Sequence, residues 1–168
     1  MKKILIIAVL ATGLMSNAFA QKDGLKFSAG PEIGFAIGDF SSTHSLGIGA
    51  SGQLEFGLQD KLNFTATAGV MNFSGKDRSS TEKNQGYTVI PIRAGVKYFL
   101  TTGIYAGAQL GAAFLTGYGD GTAFSYSPQV GYEFKTKNDK SVDATFKYEG
   151  FSKNGSLGAL AFRLAYVF

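Results

Sequence analysis

Apolar side chains recur at every second position through most of the chain, and this alternation constrains the fold more than any other feature. In the first such segment, Leu25, Phe27, Ile33, Phe35 and Ile37 occupy alternate positions, with mostly small or polar residues between them. A period of two over a stretch this long indicates a β-strand with two unlike faces. Seven further segments repeat the pattern, and the eight apolar rows span residues 25–37, 46–58, 62–70, 88–98, 104–114, 124–134, 142–148 and 160–168.

The sizes of the side chains indicate which face of these strands points outward. A soluble lipocalin-type barrel would place the apolar face inside. Here the apolar rows hold the bulky residues, whereas the opposite rows contain many glycines, such as Gly30, Gly107 and Gly111. Because side chains just fill the interior of an eight-stranded barrel, we expect the large apolar ones on the wider outer surface, facing lipid. We therefore predict an all-β fold, an eight-stranded antiparallel up-and-down transmembrane β-barrel.

The connections between the predicted strands lie alternately at the outer end of the barrel (the loops) and at the inner end (the turns), with both termini at the inner end. The loops cover residues 39–45, 74–85, 117–122 and 152–156, and the turns lie near 59–61, 99–102 and 135–140. This alternation is typical of outer-membrane barrels. The segment "LTTGIYAGAQLGAAFL" permits a second interpretation, because Gly103, Gly107 and Gly111 have the four-residue spacing of a transmembrane helix pair. Its 16 residues are short for a membrane-spanning helix, and we favour the strand.

The first 20 residues have the pattern of a secretory signal peptide. Lys2 and Lys3 precede an apolar stretch, and Ala18-Phe19-Ala20 forms a small-x-small cleavage site. We predict cleavage after Ala20 and a barrel domain over residues 21–168; a short membrane anchor is the less favoured alternative.

The chain has no cysteine, which excludes disulfides and attachment of lipid through cysteine. The net charge of the chain is +4, and it falls by two when Lys2 and Lys3 are removed. The remaining positive charge is too small to indicate a nucleic-acid partner.

The last strand supports a specific family resemblance. Its outward row ends in an aromatic ring and consists of Leu160, Phe162, Leu164, Tyr166 and Phe168. This row resembles the C-terminal signal that the barrel assembly machinery recognises in Gram-negative outer-membrane barrels. The whole of residues 21–168 resembles the family of small eight-stranded outer-membrane β-barrels that includes the OmpA/OmpX-type barrels. The resemblance implies the bacterial outer membrane as the location, after export across the inner membrane, with the assembly machinery as a partner during insertion.

The inward rows contain five basic and five acidic residues, whereas the apolar rows contain none. They are Lys26, Arg93, Lys97, Lys147, Arg163, Glu32, Glu55, Glu133, Asp143 and Glu149. Ionisable groups inside a narrow barrel are costly unless they are paired. The equal numbers therefore predict an internal salt-bridge network that fills the lumen. A narrow ion path lined by the same side chains is the alternative, and the inward glycines leave it open.

Two sequence features suggest chemistry beyond a filled barrel. The sole histidine, His44, lies in the first predicted loop near possible Ser-His-Asp partners, namely Asp39, Ser41, Ser42 and Ser45. These are also ordinary loop residues, which is the interpretation we favour. Three prolines, Pro31, Pro91 and Pro128, each remove a ladder donor from a strand and indicate either a lateral lipid gate or a local bulge, of which we favour the bulge.

The sequence predicts no catalytic residue, metal site or cofactor, since one histidine and no cysteine supply too few of the nitrogen and sulfur ligands that transition metals prefer. We expect an integral outer-membrane protein, monomeric, with a structural or surface-interaction role. Its expected partners are outer-membrane lipids and lipopolysaccharide, whose phosphates suit the basic residues Lys76, Arg78 and Lys83 of the longest loop. A low-conductance porin-like channel is the second hypothesis, and a lipid-modifying enzyme is the third.

Overall fold

The computed structural model describes residues 25–79, 82–83, 86–117, 120–136, 140–153 and 155–168, without the side chains of 77–79 and 82–83. The predicted signal peptide, residues 1–20, lies outside the described residues. The elements are β1 (Leu25–Ile37), α1 (Phe40–Thr43), β2 (His44–Gln59), β3 (Leu62–Gly75), β4 (Asp77–Ser79), β5 (Glu82–Lys83), β6 (Tyr87–Phe99), β7 (Ile104–Thr116), β8 (Gly121–Lys135), β9 (Ser141–Ser152) and β10 (Ser156–Val167).

Eight of these strands form one closed antiparallel barrel in the order β1-β2-β3-β6-β7-β8-β9-β10. Pairing of β1 with β10 closes the barrel, and Glu32 lies opposite Arg163 in that seam. The short strands β4 and β5 pair only with each other, between β3 and β6. The predicted eight-stranded all-β barrel is confirmed, because each of the eight apolar rows forms one barrel strand. Closure leaves the barrel no unpaired sheet edge, as a strand structure in lipid requires.

The two ends of the barrel differ in their connections. We call the end with three connections, at residues 60–61, 100–103 and 136–140, the turn end, and the opposite end, which has four connections including the longest one, at 76–86, the loop end. The helical interpretation of the glycine-spaced segment is wrong, because Ile104–Thr116 is strand β7. Among the described residues, no helix is long and apolar enough to cross a bilayer.

The outward rows form an apolar surface around the barrel. Ile48 and Leu110 are 65% and 57% exposed, as expected for side chains that face lipid instead of a protein core. The row Leu160, Phe162, Leu164, Tyr166 and Phe168 lies on this surface, as the alternation of β10 requires. The backbone N–H of Phe168 donates to the carbonyl oxygen of Phe27 at 2.8 Å, and the two rings stack at 5.7 Å between centroids. A backbone hydrogen bond and a ring contact therefore attach Phe168 to β1.

Large apolar side chains also fill the loop-end half of the interior, contrary to the expectation that they lie only outside. A buried cluster includes Phe40, Met71, Phe73, Tyr87, Val89, Ala113, Leu115, Ala123, Phe151, Ala159 and Ala161. Phe40 of the helical turn α1 covers this cluster, with its ring 4.9 Å from Phe73 and 5.8 Å from Tyr87 in edge-on contact. The expectation was wrong here because small partners across the barrel, such as Ala159 and Ala161, leave room for large inward residues. The lumen therefore has an apolar half and a polar half.

Candidate functional site: the lumen

The polar half of the lumen contains the ten predicted charged residues. Nine of them are buried, and only Lys26, whose side chain is 45% exposed, reaches the surface at the turn end. Each of the ten takes part in at least one ion pair. Alternation alone places them inside, since each occupies the inward row of its strand.

Five of these side chains form a continuous chain of ion pairs, which we call the five-residue cluster. Arg93 Nη2 lies 2.5 Å from Glu149 Oε1, and Lys147 Nζ lies 3.1 Å from the same oxygen. Lys147 also contacts Glu32 at 2.9 Å, and Arg163 Nε lies 3.6 Å from Glu32. The cluster joins four strands and contains three cations against two carboxylates, an excess of one positive charge.

A second group, the three-residue cluster, lies nearer the turn end. Lys97 Nζ lies 2.7 Å from both Glu55 and Asp143. Asn63 donates to Glu55 at 2.5 Å, and the Tyr105 hydroxyl donates to Asp143 at 2.7 Å. The ammonium of Lys97 also lies 4.1 Å from the centre of the Tyr105 ring, a cation–π contact. One cation against two carboxylates leaves an excess of one negative charge, which offsets the excess of the five-residue cluster.

An uncharged hydrogen-bonded layer lies between the two clusters. The Gln109 side-chain amide is within 3.2 Å of Gln53, 3.1 Å of Thr65 and 2.9 Å of Thr67. Gln53 lies two residues from Glu55 along β2, so the layer adjoins the three-residue cluster. The Thr67 hydroxyl donates to Gln53 at 3.2 Å and completes the layer. Buried polar groups at this level therefore satisfy one another across the barrel, as buried polar groups generally must.

Three glycines of the inner wall are covered by large neighbouring side chains. A Cβ added at Gly47 would lie 2.6 Å from the Phe73 ring, and one at Gly34 would lie 2.8 Å from Met71 Sδ. A Cβ at Gly131 would overlap the hydroxyl end of Tyr105. At these positions the absent side chains leave space that aromatic rings and a thioether occupy, and the glycines do not line an open channel.

A few polar atoms near the five-residue cluster lack a hydrogen-bond partner among the described residues. They are Nε and Nη1 of Arg93, the hydroxyls of Ser125 and Ser127, and Nε2 of Gln129. All four residues are at least nine-tenths buried. Sequence reasoning placed Gln129 in an inward row but did not single out Ser125 or Ser127, because single serines in an inward row are ordinary there. Arg93 is consequently held by one partner, Glu149.

His44, the centre of the possible Ser-His-Asp grouping, is the first residue of β2 and is 2% exposed. Its ring lies 4.9 Å from that of Phe40 and 5.5 Å from that of Tyr87, and Nδ1 is 2.8 Å from the Thr43 hydroxyl. The hydroxyls of Ser41 and Ser42 donate to backbone carbonyls of the same turn, at 2.7 Å each. These contacts are those of a packed turn, and they direct both serine hydroxyls to the backbone.

Each of the three prolines coincides with a two-residue interruption in one seam of the barrel. Pairing of β1 with β10 stops at Ala29 and resumes at Glu32, on either side of Pro31. Similar interruptions flank Pro91 between β3 and β6, and Pro128 between β8 and β9. Each proline is paired without interruption to the strand on its other side. The interruptions are therefore local, and the barrel remains closed around them.

No group of histidine, cysteine, aspartate and glutamate side chains among the described residues has an arrangement that would hold a metal ion.

Comparison with curated proteins gave no significant match. Comparison with solved structures found similar small barrels. Ail of Yersinia pestis, in complex with the heparin analogue sucrose octasulfate, is 16% identical, with a TM-score of 0.56 over 88% of this chain and 100% of that one.

Two further structures are alike in fold. The Neisserial surface protein A is 16% identical, with a TM-score of 0.58 over 86% of this chain and 95% of that one. The outer membrane protein OprG from Pseudomonas aeruginosa is 10% identical, with a TM-score of 0.55 over 88% and 97%. The family model described as outer membrane protein beta-barrel domain matches residues 6–168. The chain therefore belongs to the outer membrane protein beta-barrel domain family, and its location is the bacterial outer membrane.

Proposed function

We propose that this protein is a non-catalytic component of the outer membrane that stabilises the membrane or presents its loops to partners, with a lumen closed to solutes. The observation that carries the proposal is the continuous filling of the interior along the barrel axis. The ion-pair clusters and the glutamine–threonine layer fill the polar half. The aromatic and aliphatic cluster fills the loop-end half.

The apolar half is the stronger barrier to ions. Phe73 and Val89 are 0% and 1% exposed, and Phe40 covers them from the loop end. An ion that crossed this layer would lose its hydration without gaining a polar partner, which is costly in an apolar surrounding. Eight strands also leave little room for a water-filled path beside these side chains. A low-conductance channel, the competing hypothesis, would require both layers to open.

Single-channel recording in a planar bilayer tests this proposal. We expect no conductance steps from the refolded wild-type barrel, with folding checked by its altered gel migration before boiling. The double variant Arg93→Ala/Phe73→Ala opens both layers and should give small steps, which shows that the assay detects a leak. Reproducible wild-type steps that change in Glu55→Gln but not in the loop variant Asp39→Asn would overturn the closed lumen and favour a channel.

The proposed surface role is supported by the way the loops are joined to one another. Lys76 Nζ donates to the Ser41 carbonyl at 2.6 Å and links the second loop to the first. Lys153 Nζ donates to the Asp120 carbonyl at 2.6 Å and links the fourth loop to the third. Both ammonium groups are exposed and positively charged, so they attract an external anion at the loop end. We propose the phosphates of lipopolysaccharide as that anion; the Ail structure with sucrose octasulfate is a precedent for polyanion binding on this fold.

Binding of lipopolysaccharide to the barrel in nanodiscs tests the surface role. The variant Lys76→Gln/Lys153→Gln should bind at least about tenfold more weakly, since each charge-assisted hydrogen bond contributes about 1.5–3 kcal/mol. Lys140→Gln makes a similar change at the turn end and should leave binding unchanged. Equal binding by wild type and the double variant would contradict a role for these lysines.

The lipid-modifying hypothesis has its own test. Because Ser41 and Ser42 direct their hydroxyls to backbone carbonyls, we expect His44→Ala to leave the acylation of outer-membrane lipids unchanged. Mass spectrometry of lipids from cells with and without the protein measures this. An acylation that depends on the protein and is lost in His44→Ala would replace the non-catalytic proposal with an enzymatic one.

A further inference from the structure

A cavity of about 540 Å³ opens at the turn end of the barrel, which is the periplasmic end in outer-membrane barrels. We call it the vestibule. Its volume is within the range of sites for small molecules. Its lining includes Lys26, Lys61, Phe99, Glu133 and Lys135. The vestibule lies at the end opposite the loops, and it shares Lys26 and Glu133 with the polar half of the lumen.

Backbone hydrogen bonds between neighbouring turns hold the rim of the vestibule in place. The N–H of Phe99 donates to the Lys61 carbonyl at 2.8 Å and joins the first turn to the end of β6. The N–H of Glu133 donates to the Gly103 carbonyl at 2.9 Å and joins the second turn to β8. A cavity whose wall is already ordered loses little conformational entropy when a ligand binds.

Charge pairing inside the vestibule leaves basic groups available. Glu133 is 5% exposed, and its carboxylate is 3.0 Å from Lys26 Nζ. Lys61 and Lys135 are exposed and make no ion pair with a described residue. Asp60 is the one lining carboxylate that is not part of an ion pair among the described residues. The groups left to a ligand are therefore two ammonium groups, one carboxylate and the hydroxyls of the second turn.

The floor of the vestibule limits how deep an anion can enter. Asn63 donates to Glu55, and Glu55 belongs to the three-residue cluster with its excess negative charge. That excess repels an anion below the rim, whereas Lys61 and Lys135 attract one at the rim. Lys61 precedes β3 and Lys135 ends β8, three strands further around the barrel, and both line the same cavity, so they approach a ligand from two directions.

We propose that the vestibule binds a small organic oxyanion from the periplasm, a carboxylate or phosphate compound held between Lys61 and Lys135. The hydroxyls of Thr101 and Thr102 supply further donors on the rim. The ring of Phe99 supplies an apolar wall for the carbon skeleton of the ligand.

Titration of the refolded barrel with citrate tests the site, with inorganic phosphate as a second probe. A nonionic detergent avoids the phosphate groups of phosphocholine detergents. We expect saturable NMR shifts of the backbone amides of Lys61, Gly103 and Lys135, with a dissociation constant of about 1 mM. Lys61→Gln/Lys135→Gln should weaken binding by about tenfold. Lys76→Gln/Lys153→Gln removes the same charge at the loop end and should bind citrate like the wild type.

Three results of the citrate and phosphate titrations would overturn the proposal. They are the absence of saturable shifts with either probe, equal weakening by the two double variants, and unchanged binding in Lys61→Gln/Lys135→Gln. Both double variants are checked for folding by their gel migration, so a loss of structure is recognised separately. A lipid headgroup shares the phosphate chemistry, and nanodiscs with and without phosphatidylglycerol distinguish it. Shifts of the same amides with phosphatidylglycerol but not with citrate would assign the site to lipid and overturn the soluble ligand.

Discussion

Arg93 on β6 and Glu149 on β9 meet across the lumen, with Nη2 of the guanidinium 2.5 Å from Oε1 of the carboxylate. Both side chains are 1% exposed. The Nε and Nη1 atoms of Arg93 have no hydrogen-bond partner among the described residues. The contact thus joins strands that are not neighbours in the sheet. Glu149 is also the carboxylate that neutralises the buried charge of Arg93.

Glu149→Gln should destabilise the barrel more than any exposed charge change. The substitution keeps the shape of the side chain but leaves Arg93 without an ionic partner, and removal of one partner of a buried pair costs about 3–5 kcal/mol. Lys147 retains Glu32, so the loss is concentrated on Arg93. The measurement is the free energy of unfolding by urea in lipid vesicles, followed by gel migration.

Asp39→Asn is the control for this prediction, because Asp39 is exposed and its side chain does not cap α1. Its cost should be within about 0.5 kcal/mol of zero. Similar costs for the two variants would mean that the pair between Arg93 and Glu149 contributes little.

Gly47→Ala should strain the apolar half of the lumen. The added Cβ would lie 2.6 Å from the ring of Phe73, which is fully buried and cannot move aside freely. Overpacking of this kind costs about 1–3 kcal/mol. Gly155→Ala, where nothing lies within 4 Å of the new Cβ, should be near neutral in the same unfolding assay. Phe73→Leu should partly rescue Gly47→Ala, and a strictly additive double variant would refute the contact.

Phe73→Ala should cost more than Phe114→Ala, although both remove a phenyl ring. Phe73 lies in the interior core, where a cavity remains after truncation and the loss is about 3–5 kcal/mol. Phe114 is 46% exposed on the lipid face, where lipid chains can fill the space. We expect about half the cost or less there. Equal losses of unfolding free energy would show that the core of the lumen is loosely packed.

Phe168→Ala tests whether the last row acts as an assembly signal or only as part of the fold. Phe168 stacks on Phe27, but its backbone bond to that residue does not need the ring. We expect less protein inserted in cells and nearly unchanged refolding of the purified chain in detergent. Phe134→Ala removes a lipid-facing ring of similar exposure, 53% against 57%, and should insert normally. Equal insertion defects in both variants would reject the signal.

Much of this architecture could be predicted from the sequence, because one physical rule generates it. Alternation with a period of two identifies the strands, and the exclusion of charge from one row identifies the lipid face. Lys97 and Asp143 could be assigned to the interior on that basis alone. Their pairing could not be predicted, because the stagger of the strands around the barrel determines which inward residues share a level, and alternation does not encode stagger.

The apolar half of the lumen is the main feature that the sequence analysis did not predict, although the sequence contains a signal for it. Met71, Phe73, Val89 and Leu115 are large residues in inward rows, all near the loop-end limits of their strands. The sequence analysis overlooked these residues because it assigned all large apolar side chains to the lipid face. The vestibule could not be predicted either, because three separate turns create it and no single turn has a distinctive sequence.

The uneven filling of the lumen has a consequence for how the chain reaches its final place. The loop end travels furthest during insertion, because it starts in the periplasm and crosses the whole bilayer. Inward residues there, such as Met71, Phe73 and Val89, carry no charge, so neither face of these strand tips brings an ionised group into hydrocarbon. The buried charges sit behind this uncharged front and travel the shorter distance. Within the strands, uncharged inward residues therefore precede the buried charges into the hydrocarbon, whereas charged loop residues such as Lys76 and Lys153 precede both.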